Sequence, residues 1–153
     1  MAESTLRLVS LQPEDLTRLE KIAAPWRDSW SPQELHDSLL AGHHGVVLMD
    51  QQQPLGYGVY RLLPDVMEIL NIAIFFQERS KGYGRILIDS LEQVARECDC
   101  TAIWLEVRAS NHPALRLYGR CGFEASGRRR AYYRAVDGPR VDAILMQKDL
   151  AAG

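Results

Sequence analysis

Hydrophobic and polar positions along the chain switch between two periods, and the switches mark out its elements. Leu6 and Leu8 alternate with polar neighbours, as in a short strand. Over 13–23 the apolar residues Leu16, Leu19 and Ile22 fall three apart, which predicts a helix. Pro25-Trp26-Arg27-Asp28-Ser29-Trp30 breaks it. Ser31-Pro32-Gln33-Glu34 opens a second helix with a serine cap, a proline in the first helical position and an acid in the first turn. Leu35, Leu39 and Leu40 form its apolar side. Strands are predicted over 45–49, 55–62 and 67–76, with turns at 50–54 and at Pro64-Asp65. The run from Ile69 to Phe76 is apolar on both faces, as a central strand covered on both sides must be. A helix over 82–98 carries Leu87, Leu91, Val94 and Cys98 on one stripe. A strand over 102–107, a helix over 111–121 closed by Gly122, and strands over 123–131 and 141–148 complete the chain. Strands and helices interleaved in this order predict an α+β fold, a mixed sheet with helices on both faces.

Composition narrows the class. With 153 residues, 46% hydrophobic and 25% charged, the chain is expected to be one globular domain spanning 1–153, not a disordered or disulfide-stapled one. No run approaches the ~18 apolar residues of a membrane span, so no membrane partner is expected. Met1-Ala2-Glu3-Ser4-Thr5 lacks the basic-then-apolar pattern of a secretory signal, and the expected compartment is the cytoplasm. The net charge of −2 divides into −5 over residues 1–77 and +3 over 78–153. The basic half suits an anionic ligand, but it is too mild for a nucleic-acid protein. Cys98, Cys100 and Cys121 fit neither a disulfide framework nor a four-ligand zinc site, so they read as reduced thiols, and no metal is expected.

Two segments carry chemistry. Between the apolar strand and the long helix runs Gln77-Glu78-Arg79-Ser80-Lys81-Gly82-Tyr83-Gly84-Arg85. Its two glycines let the backbone approach a ligand, and the helix that follows presents unpaired N–H groups and a positive dipole end. With Arg79, Lys81 and Arg85 this makes an anion site, most simply for a diphosphate. The bland alternative is a glycine-softened helix start with solvated bases. A Walker loop is excluded because Lys81 precedes Gly82, and a dinucleotide fingerprint because Leu87 stands where its third glycine belongs. In Ile103-Trp104-Leu105-Glu106-Val107-Arg108, alternation puts Trp104, Glu106 and Arg108 on one face. A half-buried carboxylate there would be readied to accept a proton near neutrality; the alternative is an edge position, in water or paired to Arg108. Asn111 reads as a helix cap and Tyr118, two turns on, shares its face. Tyr118 is either a core residue or a phenol brought to the end of the Glu106 strand.

Ile72-Ala73-Ile74, Arg79 to Arg85, Trp104-Leu105-Glu106-Val107-Arg108-Ala109-Ser110-Asn111, Leu117-Tyr118 and Gly122-Phe123 resemble the Gcn5-related N-acetyltransferase (GNAT) superfamily, and the tail from Arg128 through Tyr132-Tyr133 to Met146 agrees. The match is dense over 71–146 and thin before it. The resemblance implies a mostly antiparallel mixed sheet of about seven strands and acetyl-CoA as co-substrate. Backbone groups of Ile72, Ala73 and Ile74 would bond the pantetheine arm, Arg79 and the amides of Ser80, Lys81, Gly82, Tyr83, Gly84 and Arg85 the pyrophosphate, and Asn111 the cofactor arm. Glu106 would be the general base and Tyr118 the general acid. The Leu-Glu-Val-Arg-Ala-Ser-Asn run is similar to the branch that acetylates a ribosomal protein's N-terminal alanine. That implies a peptide N-terminus as partner, with Trp26 beside it and Tyr132 and Tyr133 either packing on it or filling the sheet edge, and no direct contact with nucleic acid. The chain departs from the family at Phe75-Phe76, where Asp-Pro is frequent, and at Arg134, where proline often follows Tyr-Tyr.

Overall fold

Ser31 shows how local chemistry sets this fold. The computed structural model, which describes residues 5–15, 30–75, 78–133 and 140–150, gives Ser31 extended backbone. Its hydroxyl accepts from the Glu34 N–H, and the Glu34 carboxylate accepts from the Ser31 N–H. This capping box starts α1, Pro32–Leu40, where the sequence predicts a helix. Leu35 and Leu39 are buried, but Leu40 is 65% exposed, having rotated 100° off their stripe. Of the helix expected over 13–23, a single 3-10 turn at Pro13–Asp15 is seen; residues 16–29 lie outside the described part.

Seven strands follow the expected spacing: β1 Leu6–Leu11, β2 His44–Asp50, β3 Gln53–Leu62, β4 Val66–Ile74, β5 Ala102–Arg108, β6 Glu124–Tyr133 and β7 Val141–Asp149. They form one sheet in the order β1-β2-β3-β4-β5-β7-β6. β1–β2, β2–β3, β5–β7 and β6–β7 pair antiparallel. β4 and β5 pair parallel from Val66↔Ala102 to Ile69↔Leu105. The run Ile69–Ile74 therefore belongs to the middle strand, as its two apolar faces require. Two further helices complete the described fold: α2, Tyr83–Glu97, and α3, His112–Arg120. No described helix is long and apolar enough to cross a membrane.

The chain forms two compact units, Met1–Arg61 with Leu70–Ser90, and Leu62–Ile69 with Leu91–Gly153. In the first, Leu35 and Leu39 of α1 pack with Val47, Met49, Tyr57, Val59, Ala73 and Phe75. In the second, Ile103, Leu105 and Val107 of β5 are buried along with Leu91, Ala95, Tyr118, Phe123, Ala143 and Met146. The buried row of α2 is Leu87, Ile88, Leu91 and Ala95. That corrects the predicted stripe through Val94 and Cys98: α2 ends at Glu97, and Cys98 is exposed. Asp99 follows in the left-handed region, turning the chain so that Cys100 is buried instead.

Candidate active site

In the first unit, the loop after β4 turns at Ser80 and Gly82, whereas Gly84, the second glycine of the sequence motif, lies inside the helix that follows. Ser80 and Gly82 both adopt positive φ, 65° and 85°. Reversals of this kind gather successive backbone N–H groups on one side, the concavity that binds anions. α2 then begins at Tyr83, with the Ile86 N–H reaching the Gly82 carbonyl at 3.4 Å. A Cβ on Gly82 would meet nothing within 4 Å, so glycine is needed there for its backbone angle rather than for space. Each loop cation has a partner of its own. The Arg79 Nε–H donates to the Ile74 carbonyl at 3.2 Å, Lys81 pairs with Glu78 at 3.1 Å, and Arg85 lies 3.9 Å from Asp89. Arg79, Ser80, Lys81, Gly82 and Arg85 are exposed, and Tyr83 and Gly84 partly so.

The β4 backbone before this loop has two supports that sequence reasoning missed. Gly56 of β3 has no room for a side chain: a Cβ would lie 2.5 Å from the Ala73 carbonyl oxygen. Its bare backbone lets β3 press against β4 at Ala73 and Ile74. The buried Tyr57 hydroxyl donates to Asn71 Oδ1 at 2.5 Å and accepts from the Trp30 N–H at 3.1 Å. A glycine inside a strand is the available signal for the first contact; nothing in the sequence pairs Tyr57 with Asn71. Ile72 and Ile74 are half-buried and Ala73 is buried. All three lie beyond Ile69, the last β4 residue in register with β5.

In the second unit, β5 lies between β4 and β7, but its register with β4 ends at Leu105, so Glu106 stands one residue beyond and pairs with Leu145 of β7 alone. Its alternation is as predicted: Ile103, Leu105 and Val107 are buried, Trp104 is 42% exposed, and Glu106 and Arg108 are half-buried. The Glu106 side chain, 30% exposed, pairs with Arg129 of β6, Oε1 to Nη2 at 3.2 Å. The cation on this carboxylate is thus Arg129; the alternative offered by the sequence is Arg108, which shares its strand. Two strands and 23 positions of sequence hide that pairing from any local pattern. Arg128, next along β6, is paired to Asp142 instead.

Asn111 caps α3, its Oδ1 accepting from the Ala114 N–H at 3.2 Å. Tyr118 is the buried residue of α3, and its ring stands 5.9 Å from that of Phe123, tilted by 58°. The Phe123 N–H closes the helix end by donating to the Tyr118 carbonyl at 2.9 Å, after Gly122 turns with φ 94°. Trp26 lies outside the described residues, and so do the side chains of Tyr132 and Tyr133, the last two residues of β6. Phe76 and Arg134, two of the positions departing from the family pattern, lie outside them as well. Phe75 is buried in the first unit, its N–H donating to the Leu55 carbonyl at 2.9 Å.

Comparison with known proteins gives this arrangement a context. The Acetyltransferase (GNAT) family matches residues 7–123. The [ribosomal protein bS18]-alanine N-acetyltransferase of Escherichia coli is 37% identical over 90 residues, covering 59% of this chain and 60% of that protein. The Haemophilus influenzae protein of the same name is 30% identical over 117 residues, 76% of this chain and 80% of its own. The crystal structure of the E. coli ribosomal-protein-S18-alanine N-acetyltransferase superposes with a TM-score of 0.82 at 27% identity, covering 97% of this chain and 96% of that one.

Proposed function

The chain belongs to the GNAT family of acetyltransferases, and from that premise we propose that it moves the acetyl group of acetyl-CoA onto a protein's N-terminal α-amine. The acceptor assigned here is the N-terminal alanine of ribosomal protein bS18, and the site of action is the cytoplasm. The observation that carries this reading is the similarity to bS18-alanine N-acetyltransferases, 30% identical across 76% of the chain in one case. The family match runs through both compact units, which supports a single acetyltransferase domain.

The residues supply each part of the reaction. The positive-φ loop at Ser80 and Gly82, leading into the N-terminus of α2, suits a pyrophosphate, with Arg79, Lys81 and Arg85 adding charge. Ile72, Ala73 and Ile74 offer β4 backbone beyond the β5 register, suited to the amides of a pantetheine arm. Asn111 is assigned to the same arm, and Trp26, Tyr132 and Tyr133 to the acceptor peptide. Glu106 takes the proton as the amine nitrogen bonds to the thioester carbon. An N–H near Ile74 steadies the charge developing on oxygen. As the carbon–sulfur bond breaks, the Tyr118 hydroxyl gives a proton to the departing thiolate.

An α-amine suits so small an apparatus. With a reference pKa of about 7.7–8.0, roughly a tenth of it is already neutral at pH 7. A lysine, at about 10.4, needs roughly 3.4 kcal/mol more help. Incubating the chain with acetyl-CoA and a mixture of small-subunit ribosomal proteins tests the acceptor. The expected result is one acetyl group on the N-terminal alanine of bS18; acetylation confined to lysine side chains would contradict it.

A further inference from the structure

We propose that Arg129 is a positioning residue for Glu106, a role that rests on the reading of Glu106 as the general base. The two residues belong to strands separated by β7. Arg129 is in register with Ala143, Ala143 is in register with Arg108 of β5, and Glu106 precedes Arg108 by two positions on the same face. Ala143 is fully buried, and its methyl group leaves the line from β6 to β5 open to a long side chain. Along that line the guanidinium reaches the carboxylate, Nη2 to Oε1 at 3.2 Å.

Consecutive β6 residues point to opposite faces. Arg128 thereby meets Asp142, while Arg129 meets Glu106. Both ends of the Arg129 pair are partly exposed, 53% and 30%, so the contact is too weak to be a main support of the fold. It is placed to do something more local. A glutamate at the end of three torsions samples several orientations, and an N–H donor on Oε1 selects among them, leaving Oε2 for the amine proton. Because the guanidinium is half in water, it can yield as the acceptor arrives.

The test uses the full chain with an alanine-initiated peptide and acetyl-CoA, and compares wild type, R129A, R129K, E106Q and the E106Q/R129A double variant. The expected result is a loss in kcat of about fivefold for R129A, the upper end for a half-exposed ion pair. KM for acetyl-CoA stays unchanged, and R129K, which keeps the charge, recovers part of the rate. In the double variant kcat equals that of E106Q, because Arg129 then has no carboxylate to position. A merely structural arginine would lower kcat by the same factor in both backgrounds. R129A at the wild-type rate, or a double variant slower than E106Q by the full R129A factor, would overturn the assignment. E106Q at the wild-type rate would remove the base reading beneath it, whereas a slow E106Q beside a wild-type-like R129A would overturn the positioning role alone.

Discussion

Glu106 sits where an alternating strand must place a polar residue, between two buried neighbours and facing away from the core they share. That placement needs only the period of two and the apolar Ile103, Leu105 and Val107. Its partner depends on strand order, which a local period does not encode. If Glu106 and Tyr118 carry the proton transfers, E106Q and Y118F each lower kcat by about 10²–10⁴, with KM for acetyl-CoA little changed. Steady-state kinetics on one alanine peptide checks both. The cysteines give a second prediction at this scale. Burial, then the neighbouring Cys98, Asp65 and Asp99, raises the Cys100 thiol above its ordinary value. The folded state therefore holds that proton at pH values where the unfolded chain has released it. Stability from this group is intact below the ordinary thiol value, about 8.5, and declines as pH rises through the folded value. Urea unfolding from pH 7 to 10 should show the decline, and C100A should flatten it. Alkylation at neutral pH should mark exposed Cys98 well before Cys100.

At the scale of elements, caps and turns were readable because their chemistry is local. Ser31, Pro32 and Glu34 announce α1 within four residues, and S31A should cost about 1 kcal/mol in urea unfolding. The buried face of α2 was less legible. Leu87 and Leu91 fit two continuations, and the packing partners that choose Ala95 over Val94 and Cys98 are distant in sequence. Gly56 belongs to this scale too. A Cβ there collides with the Ala73 carbonyl, backbone that cannot turn aside, so G56A should destabilise by about 1–3 kcal/mol. It should also raise KM for acetyl-CoA if β4 over Ile72–Ile74 carries the pantetheine arm. A G56A protein with unchanged stability would show that β3 can draw back.

For the whole molecule, the number of strands and their class were legible, since each strand is bounded by turns the sequence spells out. The insertion of β7 between β5 and β6 was not, because no local pattern distinguishes the neighbours of a returning strand. That insertion puts Arg129 two strands from Glu106, with Ala143 opposite Arg129 and Leu145 opposite Glu106 on the strand between. β5 itself is interior, but its register with β4 ends at Leu105, so at Glu106 it pairs with β7 alone. The central claim, transfer to an α-amine, is tested most directly by the initial rate of coenzyme A release with two matched peptides. Both begin with alanine and contain one lysine, and one has its N-terminus blocked. Rapid release with the free peptide and almost none with the blocked one is the expected result; equal rates with the two would contradict transfer to an α-amine.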